Sequence, residues 1–366
     1  MKGPILFLAL SLIVTGCLNS IFTKYQDNQY VTPTRKFEQP VLQTLQMFIG
    51  ESCAFLFYFA NRRSRAAAAS SLLSHDALKP ALPRSKVIML AIPSICDILG
   101  TTMMNLGLVY SPVSIYQMMR GALILFVAAF SILFLGKTIT RIEWSSLFVV
   151  ILGITIVGLS SNKNAGSEEV AAETSSKVAI GIALILLSQI FTATQFVVEE
   201  HIVGKWHIEP LQLVGYEGVF GGSITLVSMI MLYFPLGYQN QGPFDIVNSW
   251  REFSSNTAII YTSLAIMVSI GLFNFFGITL TSKLSATARS TIDTCRTLLV
   301  WLVSLYLGWE SFVALQLFGF GFLVFGTLVF NGAIVVDQYL PEWFSADKQR
   351  GAIRIVDTID EQIERQ

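Results

Sequence analysis

YQMMRGALILF, residues 116–126, is a helical, apolar run with one arginine set into it. Arg120 has no loop near enough to carry its guanidinium into water. At the depth this run implies, an ionised side chain in a bilayer costs at least about 2.5–3.5 kcal/mol. Something else in the chain must answer that charge, and finding it organises the rest of the sequence.

Working outward, the surroundings of Arg120 are typical of the whole chain. Of 366 residues 53% are hydrophobic, 13% are charged and 27 are Phe. Soluble domains carry about 25% charged residues, so this chain has lipid as its main solvent. The formal net charge of +0 gives no electrostatic footprint for nucleic acid. No zinc spacing, HExxH, P-loop or dinucleotide fingerprint occurs, so no cofactor and no metal are expected. Cys17, Cys53, Cys96 and Cys295 all fall inside apolar runs, which argues against a disulfide framework. The class is integral membrane protein.

A helical span needs about 20 mostly apolar residues. Ten such stretches follow one another, at 4–22, 41–60, 87–109, 113–135, 143–161, 178–199, 211–234, 257–281, 286–307 and 312–335. Tyr110-Ser111-Pro112 and Gly308 to Ser311 form tight links between neighbours. The opening MKGPILFLALSLIVTGC also resembles a lipoprotein signal ending at Cys17, but the spans that follow favour a retained first helix. Alternating sides, fifteen loop lysines and arginines face one way and six the other. The positive-inside rule then puts both termini in the cytosol, with a basic cytosolic loop at 61–86, a luminal linker at 162–177 and a cytosolic tail at 336–366.

The chain also compares with itself. FLGKTITRIEWSSLFVVILGITIVG from Phe134 and YLGWESFVALQLFGFGFLVFGTLVF from Tyr306 share an aromatic-Leu-Gly start and a Gly-punctuated helix. IGES around Glu51 and YEGVFGG around Glu217 are a second pair, again five spans apart. A five-span unit copied in tandem must insert upside down. The expected fold is therefore all-α and polytopic, ten transmembrane helices as two inverted five-helix repeats, residues 1–161 and 178–335.

CDILGTTMMNLGLVYSPVSIYQMMRGALILFVAAFSILFLGKTITRIEW resembles solute carrier family 35, subfamily F, of the drug/metabolite transporter superfamily. NFFGITLTSKLSATARSTIDTCRTLLVWLVSLYLGWESFVALQLFGF, FVVEEHIVGKW and VGYEGVFGG carry the same resemblance. It runs from about residue 5 to 335 and fails in the two long loops and the tail. It implies the ten-helix fold of inverted repeats, kinship to nucleotide-sugar transporters and to the vacuolar chloroquine-resistance transporter, and spans 5 and 10 at the periphery. It implies an endomembrane, lysosomal first with Golgi or mitochondrial alternatives, and is compatible with a homodimer. It supplies no substrate.

At a rise of about 1.5 Å per residue, Arg120 lies ~12 Å deep, Glu51 and Asp97 ~15 Å, and Glu217 ~9 Å. Arg289, Asp293 and Arg296 recur at i, i+4 and i+7 on one helical face. These groups, with polar Asn105, Gln117, Gln189, Gln195 and Asn274, are too many to face lipid. They are expected to line a central cavity that binds a small-molecule substrate. Arg296 and Arg120 are the leading site residues, Asp293 and Asp97 their candidate partners, and Glu51 and Glu217 carboxylates for a proton or cation. Arg289 is expected as a cytosolic-end ion pair with Asp293. Glu199 and Glu200 are expected at the interface.

The function this supports is secondary transport by alternating access, with coupling to a proton or counter-substrate, and no enzyme activity. Nucleotide-sugar-like anions and amino acids or cationic metabolites both remain candidate cargoes. The alternative is a non-transporting membrane interaction protein affecting organelle homeostasis or cell survival. An enzyme of lipid or isoprenoid phosphates would need clustered Asp/Glu metal ligands, which are missing from the sequence.

Overall fold

Both aromatic-Leu-Gly motifs stop a helix in the same way: Gly136 and Gly308 take φ of +66° and +68°, the left-handed conformation that favours glycine. The structure is a computed structural model that describes residues 3–32, 35–37, 39–60, 80, 82–111, 113–160, 168–237, 245–308, 313–330, 332 and 334. Most of the 61–86 loop, the start of the 162–177 linker and the 336–366 tail lie outside the described residues.

The chain is mostly helical. α1 (Gly3–Asp27) leads through a small hairpin, β1 (Tyr30–Thr32) and β2 (Arg35–Lys36), into α2 (Pro40–Ser52) and α3 (Ala54–Ala60). A 3-10 segment, Arg84–Leu90, opens α4 (Ala91–Tyr110). Next come α5 (Val113–Met119), a 3-10 turn over Arg120–Ala122, and α6 (Leu123–Leu135). α7 (Arg141–Ser160), α8 (Glu168–Lys205) and α9 (Pro210–Leu232) follow, then α10 (Ile246–Ser255), α11 (Thr257–Lys283), α12 (Ala286–Tyr306) and α13 (Ala314–Phe330).

Among the described residues six helices are long and apolar enough to cross a membrane: α1, Ser85–Leu108 around α4, α7, α8, α9 and α11. Arg120–Leu135 and α13 are shorter apolar helices. The stretches expected at 41–60 and 286–307 are helical too, as α2 with α3 and as α12. Large side chains such as Phe7, Phe234 and Phe318 point outward, where lipid is the apolar solvent.

The described chain divides into two compact units, each drawing on early and late sequence. In the unit made of residues 1–9, 99–197 and 283–366, α7 crosses α13 backbone to backbone. A Cβ added at Gly153 would lie 2.6 Å from the Gly319 carbonyl oxygen, and one at Gly319 would lie 2.9 Å from that of Gly153. Ile115, Met118, Val150, Trp301, Phe320 and Leu323 pack around this crossing. Small residues allow this approach, as they do generally between membrane helices.

In the unit made of residues 10–98 and 198–282, α2 packs on α9, where Gly218 backs onto the backbone of Glu51 and Ser52. On another face of α2, Gly50 meets the backbone of Met267 on α11. α10 is inside-out by soluble standards. Its Ser249 and Glu252 are buried while Val247 and Trp250 face outward, an arrangement suited to a membrane interface. Asp245 caps α10 by accepting the Asn248 N–H at 3.1 Å.

Candidate functional site

α12 is the helix that concentrates charge. Ser285 caps its start, Oγ accepting the Ala288 N–H at 3.1 Å. The helix then packs against α5, the 3-10 turn, α6 and α13. Its inward face brings Arg289, Asp293 and Arg296 out of solvent, with Arg289 only 1% exposed.

Asp293 takes Arg296 as its partner. Arg296 Nε donates to Oδ1 at 2.6 Å and Nη2 to Oδ2 at 3.1 Å, a side-on, two-bond grip within one helix. Arg289, four residues earlier, lays its guanidinium over the Phe196 ring of α8, 3.9 Å from the ring centroid. A desolvated cation over an aromatic face gains about 2 kcal/mol or more. Arg289 is therefore held deep against a ring.

Arg120 sits where the fourth expected span breaks. α5 ends at Met119, the chain tightens into a 3-10 turn over Arg120–Ala122, and α6 resumes at Leu123. Gly121 in that turn is pressed against the Leu323 side chain of α13. Arg120 is half-buried, with its guanidinium 5.9 Å from the Tyr116 ring centroid. Arg120, Arg289 and Arg296 all lie within electrostatic reach of Asp293. The structure thus collects three expected cations and one expected carboxylate within one unit. A short 3-10 stretch inside a long helix often marks a functional hinge.

The same unit holds Gln195 and Gln189, both buried on α8, and half-buried Asn105 on α4. Gln189 is used locally, its Nε2 donating to Ser188 Oγ at 2.9 Å and Ile185 O at 3.3 Å. Gln117 lies on α5, and its side chain is outside the described set.

In the other unit, Glu51 is 2% exposed and its Oε1 accepts the Asn274 Nδ2 of α11 at 2.6 Å. Glu217 on α9 is buried, and its backbone carbonyl accepts the Ser94 Oγ of α4 at 3.0 Å. Asp97 is half-buried on α4. Glu199 is fully buried while Glu200 is half-buried, so only one of that pair is open to the surroundings.

Two features escaped the sequence. Phe196 supplies an aromatic face to buried Arg289 and Tyr116 one to half-buried Arg120, and neither ring carries a mark of that role in the sequence. A set of buried glutamines, Gln26, Gln39, Gln43 and Gln46, lies where α1 ends and α2 begins. Its signal was present, since 39, 43 and 46 keep a helical spacing. Among the described residues no group of three His, Cys, Asp or Glu is placed to hold a metal.

Comparison with known proteins places this arrangement. A profile of the nucleotide-sugar transporter family matches residues 5–207. Human solute carrier family 35 member F6 is 37% identical, with 89% of this chain and 88% of that protein covered. A bovine UDP-galactose translocator is 25% identical over 39% of this chain and 35% of its own. One solved crystal structure has a similar fold at a TM-score of 0.52 and 12% identity, covering 89% of this chain and 96% of its own.

Proposed function

The chain belongs to the nucleotide-sugar transporter family and is a membrane transporter, and from that premise we propose that it is a secondary carrier moving a small anionic metabolite by alternating access. The observation that carries the proposal is the α12 cluster. There Arg120, Arg289 and Arg296 gather within reach of Asp293, and guanidinium groups are suited to receive a negatively charged group. Arginine suits phosphate and carboxylate because its planar fork matches their oxygens two at a time. The break at Arg120 lets one guanidinium change its aim without unwinding a whole helix. The bovine relative is named for UDP-galactose, so nucleotide sugars and nucleotides lead the substrate classes.

In this reading ten spans form two inverted five-helix repeats, residues 1–161 and 178–335, with both termini cytosolic. The carrier resides in an endomembrane, the lysosome first and the Golgi next, and a proton or counter-substrate drives it. Arg120, Asp293 and Arg296 contact the cargo, with Gln117, Asn105 and Gln195 as polar neighbours.

Counterflow in liposomes tests the proposal. The purified protein is loaded with a panel of nucleotides, nucleotide sugars, amino acids and cationic metabolites, and exchange of a labelled member is followed. Exchange confined to anions, and weakened in R120Q, is expected. Exchange of cations alone, or of no member of the panel, overturns it.

A further inference from the structure

Trp206 follows the last residue of α8, and the chain around it is fixed. Its backbone N–H donates to the Ile202 carbonyl at 3.0 Å, and the next amide, that of His207, donates to the Pro80 carbonyl at 3.0 Å. The indole is 4% exposed and packs with Leu90, Ile202, Val203, Ile208, Leu213 and Val214. Two lysines nevertheless reach its ring. Lys86 Nζ lies 5.2 Å from the ring centroid and Lys205 Nζ lies 5.1 Å from it. Both lysines are exposed. His201, exposed as well, meets the same indole edge-on, with ring centroids 6.2 Å apart.

Two like charges share one ring here. A π face attracts an ammonium ion but leaves its charge in place. Among the described residues neither lysine has a carboxylate partner, while the neighbouring acids Glu200 and Glu209 are engaged with other groups. The pair therefore raises a shared positive potential at the protein surface. Its level in the bilayer names the anion that would answer it. Lys86 is the second residue of the span Ser85–Leu108, and Lys205 is the last of the span Lys177–Lys205. Two spans thus end together at Trp206, where tryptophan and lysine meet phospholipid headgroups. There is room beside the ring's anchor, since a Cβ added at Gly204 would find no heavy atom within 4 Å. A phosphate monoester carries a charge of about −1.5 to −2 and three acceptor oxygens, enough for both ammonium groups at once. The phosphodiester of phosphatidylcholine offers a single negative charge, which its own choline offsets.

We propose that Lys86 and Lys205, set on Trp206, form a binding site for an acidic phospholipid whose headgroup ends in a phosphate monoester. The headgroup takes one ammonium from each of the two spans, and the acyl chains stay in the bilayer. Lys86, Lys205 and Trp206 all belong to the unit made of residues 10–98 and 198–282, which does not contain the arginine cluster of α12. The site is thus distinct from the proposed cargo site and stands whether or not the carrier reading holds. Because both lysine side chains are exposed, their substitution tests binding and not folding.

The test is native mass spectrometry of the full-length protein, titrated in detergent with phosphatidic acid or phosphatidylcholine. The wild type is expected to retain phosphatidic acid in preference to phosphatidylcholine. K86Q/K205Q should bind phosphatidic acid about tenfold more weakly or worse, and K86R/K205R nearly as well as the wild type. K177Q/R251Q, which removes two exposed cations elsewhere in the chain, should bind it as the wild type does. Undiminished binding in K86Q/K205Q overturns the proposal. An equal loss in K177Q/R251Q also overturns it, because the preference would then belong to overall charge. Glycerol 3-phosphate at the concentration of the lipid should leave the lipid bound; displacement overturns the assignment to a lipid in favour of a free phosphate.

Discussion

Arg296 holds Asp293 through both Nε and Nη2, at 2.6 and 3.1 Å, three residues apart on α12. Both partners are nearly sealed from solvent. Such a pair adds little net stability over a well-packed apolar pair, because desolvation offsets the attraction.

Breaking that pair from one side leaves a buried charge with its nearest counter-ion gone. D293N should destabilise the protein by about 3–5 kcal/mol, and D293N/R296Q should recover most of the loss. Thermal unfolding in nanodiscs, single variant against double, measures both.

Arg120 is less enclosed, and its neighbour Tyr116 is an aromatic face at 5.9 Å. R120Q should therefore leave the melting temperature nearly unchanged. Substrate binding should weaken by about 2 kcal/mol or more, roughly thirtyfold in affinity. Concentration-dependent counterflow separates this from a folding defect.

Bulk at the α7–α13 crossing has nowhere to go. Gly153→Leu sets a side chain against the Gly319 carbonyl and should cost about 1–3 kcal/mol or more. Gly321, on the same helix, has no heavy atom within 4 Å of an added Cβ. Gly321→Leu should stay within about 0.5 kcal/mol of the wild type. The comparison is again by thermal unfolding.

The Ser285 cap fixes where the charged helix begins. Ser285→Ala should cost about 1 kcal/mol and loosen the first turn of α12. Hydrogen exchange at the Ala288 amide, whose N–H the cap receives, should quicken while exchange near Val300 stays slow.

The sequence shows the charged face of α12 directly, because Arg289, Asp293 and Arg296 recur at helical spacing. It does not show which arginine takes the carboxylate. Both are within reach along the helix, and only the folded chain shows Arg296 gripping Asp293 while Arg289 lies over the Phe196 ring of α8. The helices containing Arg120 are legible as one span, but the 3-10 turn is not, since RGA has no Pro and its tightening goes with the packing of Gly121 against Leu323. The helix at 246–255 falls in a stretch that reads as a loop. Only three dimensions reveal that its polar side turns inward to Gln39. The Gln39, Gln43, Gln46 spacing is visible once a buried partner such as Gln26 gives it meaning.

α12 bears on how the protein is made. With three ionisable residues it does not rank among the helices apolar enough to enter lipid alone. On insertion scales a charge near the middle of such a helix opposes entry by about 2.5–3.5 kcal/mol. Residues 286–306 leave the ribosome after Phe196 of α8 and the α5–α6 segment are already synthesised. Release of α12 against those partners, and not into open bilayer, is what would spare it that cost.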